Sequence, residues 1–169
     1  MNKTILMLAG LPGTGKSTLA AYLASEFDWV IIDKDLIHSA LIEQGQKKDE
    51  SGDAAYAVSL WLAKDLVVRQ NRSVIFDSAG RQQFILPRLE AMCAESYARL
   101  KVIYCSTARA ERQKRLAGRV ALGSQLVQDV FSDEDETRFY RHLPDSRLQV
   151  DTTAGVQAVL SACFAYLKV

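Results

Sequence analysis

The sequence predicts an α/β fold, a parallel sheet covered by helices on both faces, and three observations predict it. Five short apolar runs alternate with longer amphipathic ones along 169 residues, the rhythm of strands joined by right-handed helical crossovers. The short runs are apolar at consecutive positions, as strands buried on both faces must be. Three of them end on a glycine-rich loop or a carboxylate, at the edge where sheets of this kind bind ligands.

The elements follow in order. Residues 4–9 are a continuous apolar stretch, the first strand. Leu19, Leu23 and Phe27 recur every four residues and predict the first helix. Residues 29–32 form a second strand, ending in Asp33-Lys34-Asp35, where a helix carrying Leu36, Ile37, Ala40 and Leu41 opens. Residues 44–53 are polar with two glycines, hence a loop. Asp53 is placed to cap the next helix, about 54–70, with Tyr56, Leu60, Ala63 and Val67 on its apolar stripe; Asn71-Arg72 breaks it. Residues 73–77 make the third strand, closing on Asp77, and Ser78-Ala79-Gly80 is a turn. Pro87 fits the first turn of a helix running to about 96. Residues 100–105 are the fourth strand, 108–117 an arginine-rich helix, 118–124 a loop and 125–131 a short helix. Ser132 followed by Asp133, Glu134 and Asp135 has the make-up of a helix N-terminus, and Pro144 ends that piece. Residues 147–150 are the fifth strand. Val156, Val159, Leu160, Cys163, Phe164 and Leu167 share one stripe of the last helix. No repeat or linker divides the chain, so residues 1–169 read as one domain.

Bulk properties bound the partners without ruling out a local basic patch. A formal net charge of +1 supplies no global field for nucleic acid or an anionic membrane. Cys93, Cys105 and Cys163 are widely spaced in apolar segments, which predicts buried free thiols in a reducing compartment rather than a disulfide framework or metal site. The apolar start after Lys3 lacks a small-residue cleavage site, and no run reaches membrane-spanning length. A cytoplasmic protein is expected.

The chemistry concentrates in Gly10-Leu11-Pro12-Gly13-Thr14-Gly15-Lys16-Ser17, which reads Gly, four residues, Gly-Lys-Ser. Preceded by a strand and followed by a helix, this is the phosphate-binding P-loop or Walker A pattern. Its glycines let the backbone wrap a phosphate with N–H groups aimed inward, and the helix adds its positive end. Lys16 would reach the β- and γ-phosphates and Ser17 would ligate Mg²⁺. ATP and Mg²⁺ are therefore the expected cofactors, with Gly10 to Ser17, Thr18 and Arg112 as the nucleotide-binding set.

Around the loop, each candidate carries a bland alternative. Asp77, at a strand end, is placed to hold Mg²⁺ beside Ser17, or to cap a turn. Asp35 is placed to accept a proton from an attacking hydroxyl, or to cap the helix beginning beside it. Asp33 is its partner, a metal-shell group or a solvated neighbour. Arg112, Arg115 and Arg119 share a helix face that Arg109 extends. They form either a solvated basic surface or a lid, about 109–125, closing on the triphosphate, with Gly118 and Gly123 bracketing a hinge. Lys16, Arg115 and Arg119 then join Asp35 as catalytic candidates. Arg81 and Arg88 follow Asp77 and bind acceptor or stay solvated. His38 reads as a surface or helix-start residue, and residues 44–56 help line the acceptor site or form a solvated loop.

Together the 10–17 loop, the Asp33-Lys34-Asp35 strand end, Val74-Ile75-Phe76-Asp77 and the Arg112, Arg115, Arg119 series resemble the small P-loop kinases. These include phage-type polynucleotide 5′-kinase domains, gluconate kinase-like enzymes, chloramphenicol phosphotransferase-like proteins and proteins described as AAA-type ATP-binding. The resemblance covers nearly the whole chain. It implies a three-layer P-loop NTPase fold with a five-stranded parallel, adenylate kinase-like sheet and a helical lid. Adenine would lie near the start of the last helix and the lid arginines. It also implies that Asp35 is the general base. Three residues later, where many relatives carry Arg, this chain has His38. Gluconate kinase-like enzymes also place His there, which favours a small-molecule acceptor over a nucleic-acid 5′-hydroxyl. The expected activity is transfer of the γ-phosphate of ATP to a hydroxyl. The alternatives are a nucleotide-dependent regulatory ATPase acting through a protein partner and, more remotely, a toxin-like kinase acting on a nucleotide sugar.

Overall fold

A computed structural model of the chain describes residues 3–168. Five strands, β1 (Thr4–Ala9), β2 (Val30–Asp33), β3 (Val74–Asp77), β4 (Arg99–Ser106) and β5 (Leu148–Asp151), form one sheet in the order β2-β3-β1-β4-β5. Every pairing is parallel. The helices are α1 (Lys16–Phe27), α2 (Lys34–Glu43), α3 (Gly52–Lys64), α4 (Ile85–Ser96), α5 (Arg109–Ala117), α6 (Asp133–Tyr140) and α7 (Val156–Leu167). A single π-helical turn, Asp65–Arg69, prolongs α3.

Strand alternation divides the core in two. Ile5, Met7 and Ala9 of β1 face α3, α4 and α6, where Leu60, Ala63, Leu89, Met92 and Tyr140 cover them. Leu6 and Leu8 face α1 and α7, meeting Leu19, Leu23, Val159, Cys163 and Leu167. This two-sided burial is why β1 from Ile5 onward and β3 up to Phe76 are apolar at every position. It makes the fold the three-layer α/β architecture expected from the strand–helix alternation.

Several local expectations need correction. Residues 125–131 are not helical, because side chains claim their polar groups: Arg119 Nη2 donates to Leu126 O, and Phe131 N donates to Asp129 Oδ1. Asp53 does not cap α3. Ser51 is the N-cap, without a side-chain capping bond, and Asp53 lies within the first turn. Val156 opens α7 but is exposed, and Cys93 is only half-buried. The Ser132 reading holds: its hydroxyl accepts from Asp135 N while the Asp135 carboxylate accepts from Ser132 N, a reciprocal capping box.

Candidate active site

The carboxyl ends of β1, β2 and β3 open into one cleft of about 750 Å³. Its floor is the phosphate-loop run Pro12, Gly13, Gly15, Lys16, Ser17 and Thr18. Gly15 caps α1 from the left-handed region and brings no side chain to the helix end. The first-turn N–H groups, which lack intrahelical acceptors, therefore remain for an anion. Gly13, at φ +83°, lies so close to α5 that a Cβ would stand 3.0 Å from Arg112 O. Gly10, Leu11 and Thr14 contribute from below. Gly10 N donates to Ala79 O, Leu11 is buried in the core, and Thr14 Oγ1 donates to Leu11 O at 2.8 Å. Lys16 Nζ folds back on the same carbonyl at 2.9 Å. Burial lowers its pKa, against the opposing pull of Asp77.

Two acids sit side by side above the loop, since β2 and β3 pair Asp33 with Asp77. Asp33 is the N-cap of α2, its Oδ1 accepting from Asp35 N at 2.8 Å and Leu36 N at 3.2 Å. The capping role weighed for Asp35 thus belongs to Asp33. Asp77 is buried, with Oδ2 unpartnered. Burial pushes its carboxyl up to about 6, against the lowering effects of Lys16 and a hydrogen bond from Ser17. Burial also raises Asp33.

A proton held by the fold but released by the unfolded chain makes stability fall as pH rises. For Asp77 that window runs from its ordinary 3.8 to about 6. Without divalent cations, urea unfolding of the wild type is expected to show a decline across this window that is shallower in Asp77→Asn. Identical pH slopes would contradict the assignment.

Asp35 occupies the first turn of α2, in the cleft, with Lys34 Nζ on its Oδ1 at 2.5 Å. Its main-chain oxygen accepts from both Ser39 and Ser124 hydroxyls at 2.8 Å, tying the segment after α5 to the start of α2. Lys16, Asp35 and Asp77 thus line one cavity.

The arginines divide. Arg115 lines the cleft, donating to Gly13 O, to Thr152 Oγ1 at 2.9 Å and to Glu111. Arg119 lines it beside Leu126. Arg112 does not line it, and its expected place on the triphosphate is a correction. Its side chain turns inward, 1% exposed, to Asp129 at 2.9 Å and Glu136 at 3.0 Å. Arg109 is exposed outside the cleft, and Arg88 lies on a separate α3–α4 groove. His38 is buried rather than on the surface, with Nε2 3.1 Å from Lys48 O and from Ser51 Oγ, and it lines the cleft. From the segment 44–56, Asp49, Gly52, Asp53 and Tyr56 line it too, while residues 44–50 are exposed. Sequence reading missed Thr152 and Ser124, whose only signal was polarity next to a strand end or a glycine.

A family model described as an AAA domain matches residues 5–140, from β1 through α6. The chain belongs to this AAA domain family. No curated protein sequence matches it. Among solved structures, a candidate kinase from Chloroflexus aurantiacus J-10-fl superposes with a TM-score of 0.74 at 20% identity, over 99% of this chain and 100% of that one. A sugar kinase from Janibacter sp. HTCC2649 gives 0.66 at 12% identity, over 100% and 96%. A gluconokinase from Sinorhizobium meliloti 1021 gives 0.58 at 14% identity, over 99% and 91%. At these identities the likeness is one of fold, and the fold is that of small P-loop kinases. Among the described residues no helix is long and apolar enough to cross a membrane.

Proposed function

We propose that the protein is an ATP- and Mg²⁺-dependent phosphotransferase whose acceptor is a small hydroxylated molecule, with residues 1–169 acting as one kinase domain. The observation that carries this reading is the convergence of Lys16, Asp35 and Asp77 on one cleft at the mouth of a helix with no side-chain cap.

Polyphosphate lies along the loop, with Lys16 released from Leu11 O to the β- and γ-oxygens. Ser17 and the unpartnered Asp77 Oδ2 would hold Mg²⁺, an ion that favours hard oxygen ligands. When bound, it would supply neutralisation of the polyphosphate charge. The acceptor hydroxyl oxygen bonds to the γ-phosphorus, the bond from that phosphorus to the β,γ-bridging oxygen breaks, and ADP leaves. The acceptor proton passes to Asp35. Asp33 is the weaker candidate for that role because its Oδ1 is engaged by two backbone N–H groups. Arg115 from α5 and Arg119 just past its end face the triphosphate, with the segment to about 125 as lid. The small-molecule preference draws on the sugar kinase and gluconokinase folds and on the buried His38.

The test is ATP consumption by the purified protein with a panel of polyols, sugars and 5′-hydroxyl oligonucleotides, with and without Lys16→Ala. A stimulating acceptor and its phosphorylated product are expected. Lys16→Ala should lower that turnover about 10²–10³-fold, the cost of deleting one positioned electrostatic donor. Full activity in this variant would remove the loop from the reaction. Stimulation by a protein alone, with no phosphorylated small molecule, would mark a regulatory ATPase instead.

A further inference from the structure

Five cations line the cleft: Lys16, Lys34, Arg81, Arg115 and Arg119. Four of them are engaged by oxygens. Lys16 donates to Leu11 O, Lys34 pairs with Asp35, Arg115 holds Glu111 and Thr152, and Arg119 donates to Leu126 O. Arg81 differs. Among the described residues it has no hydrogen-bond acceptor or carboxylate on any guanidinium nitrogen; its Nε is buried without a partner, as is that of Arg119, but Arg119 is held through Nη2.

Its position is nonetheless built. Gly80, at φ +69°, presses the loop after β3 against the end of β1, where a Cβ would stand 2.7 Å from that of Ala9. Only glycine tolerates both this backbone and this approach. The guanidinium then rests 4.8 Å from the Phe131 ring centroid and 5.2 Å from that of Phe139. These rings fix the group in place without satisfying any N–H. Its neighbours are Tyr56 and Tyr140. Burial pushes the Tyr56 phenol up to about 12 and raises Tyr140 as well, and the nearby Arg81 charge opposes both rises. Arg115 and Thr152, by contrast, meet at Gly13 and Gly15, at the other end of the loop. The buried Nε–H is left uncompensated until an acceptor arrives, and the other guanidinium N–H groups of this partly exposed side chain are free to bind an anion in the cleft.

Resting on the phosphotransferase reading, we propose that the acceptor carries an anionic group besides its reacting hydroxyl, a carboxylate or a phosphate monoester, and that Arg81 binds it. Arg81 is then the residue that selects charged acceptors over neutral ones. The planar, multiply donating guanidinium matches either oxyanion, which a lysine ammonium does less well.

The test is calorimetric titration of the protein preloaded with ADP and Mg²⁺, so that the phosphate loop is filled. Two matched pairs serve as probes: gluconate against sorbitol for the carboxylate, and glucose 6-phosphate against glucose for the phosphate. At least one anion is expected to bind about tenfold or more tighter than its neutral partner, about 1.4 kcal/mol. Which pair shows the preference identifies the oxyanion. Arg81→Gln should abolish the preference while ATP affinity stays at the wild-type level, and Arg81→Lys should restore part of it. Equal binding within both pairs, binding of neither anion, or a preference that survives in Arg81→Gln would overturn the proposal. So would an equal loss of ATP affinity, since that would put Arg81 on the nucleotide. None of these binding readouts requires phosphoryl transfer, so they fail independently of the turnover assay that tests the kinase reading.

Discussion

Asp35→Asn is expected to lower acceptor-dependent ATP turnover by about 10³–10⁴-fold, at the upper end for loss of a general base, while leaving ATP affinity nearly intact. The amide keeps the shape of the side chain but cannot take up the acceptor proton. It also frees Lys34, now paired with Asp35 at 2.5 Å, so acceptor affinity should weaken modestly alongside the collapse in kcat. Asp33 supplies the internal comparison. Because its Oδ1 caps α2 through Asp35 N and Leu36 N, Asp33→Ala should cost about 1 kcal/mol of stability, the usual worth of an N-cap, with a smaller loss of turnover. Single-turnover phosphoryl transfer and urea unfolding on the two variants separate the roles. If Asp33→Ala silences transfer while Asp35→Asn does not, the base assignment is reversed.

That distinction shows where sequence reading stops. The loop, the five strands and the acids at strand ends were legible because each rests on local spacing: consecutive apolar residues, a glycine interval, a carboxylate closing a run. Which of two acids two residues apart caps the helix was not legible, since it depends on whether the strand ends at 32 or at 33. β2 in fact includes Asp33, and α2 starts at Lys34. The arginines on α5 and just after it fail for a related reason. Spacing of three and four places Arg112, Arg115 and Arg119 on one broad face, but it cannot say which edge of that face meets the core. Tertiary contacts turn Arg112 inward and leave Arg115 and Arg119 at the cleft. The burial of His38, which spacing alone presents as a surface or helix-start residue, is not legible because its partners, Lys48 O and Ser51, lie beyond a loop whose path the sequence does not encode locally.

Arg112 also sets the largest expected stability effect. Its guanidinium is 1% exposed and holds Asp129, whose side chain is 0% exposed, together with Glu136, while donating to Thr107 O. Glu136 in turn accepts from the Tyr104 hydroxyl. Burying such a network gains little over an apolar core, but removing one member strands the others. Arg112→Met should therefore cost about 3–5 kcal/mol in urea unfolding, the range for breaking a buried ion pair from one side. Adding Asp129→Asn should recover part of that loss, because the stranded carboxylate is then gone. A loss under about 1 kcal/mol would mean that water reaches Asp129 and the pair behaves as a surface one. The damage should also reach the cleft. The Arg112 backbone packs on Gly13 with no room for a methyl group, and Asp129 anchors the segment that carries Ser124 to the start of α2. Arg112→Met at a temperature where it remains folded should then weaken nucleotide binding, although its side chain never faces the phosphates. Unchanged ATP affinity in the folded variant would show that the loop keeps its shape without α5 behind it.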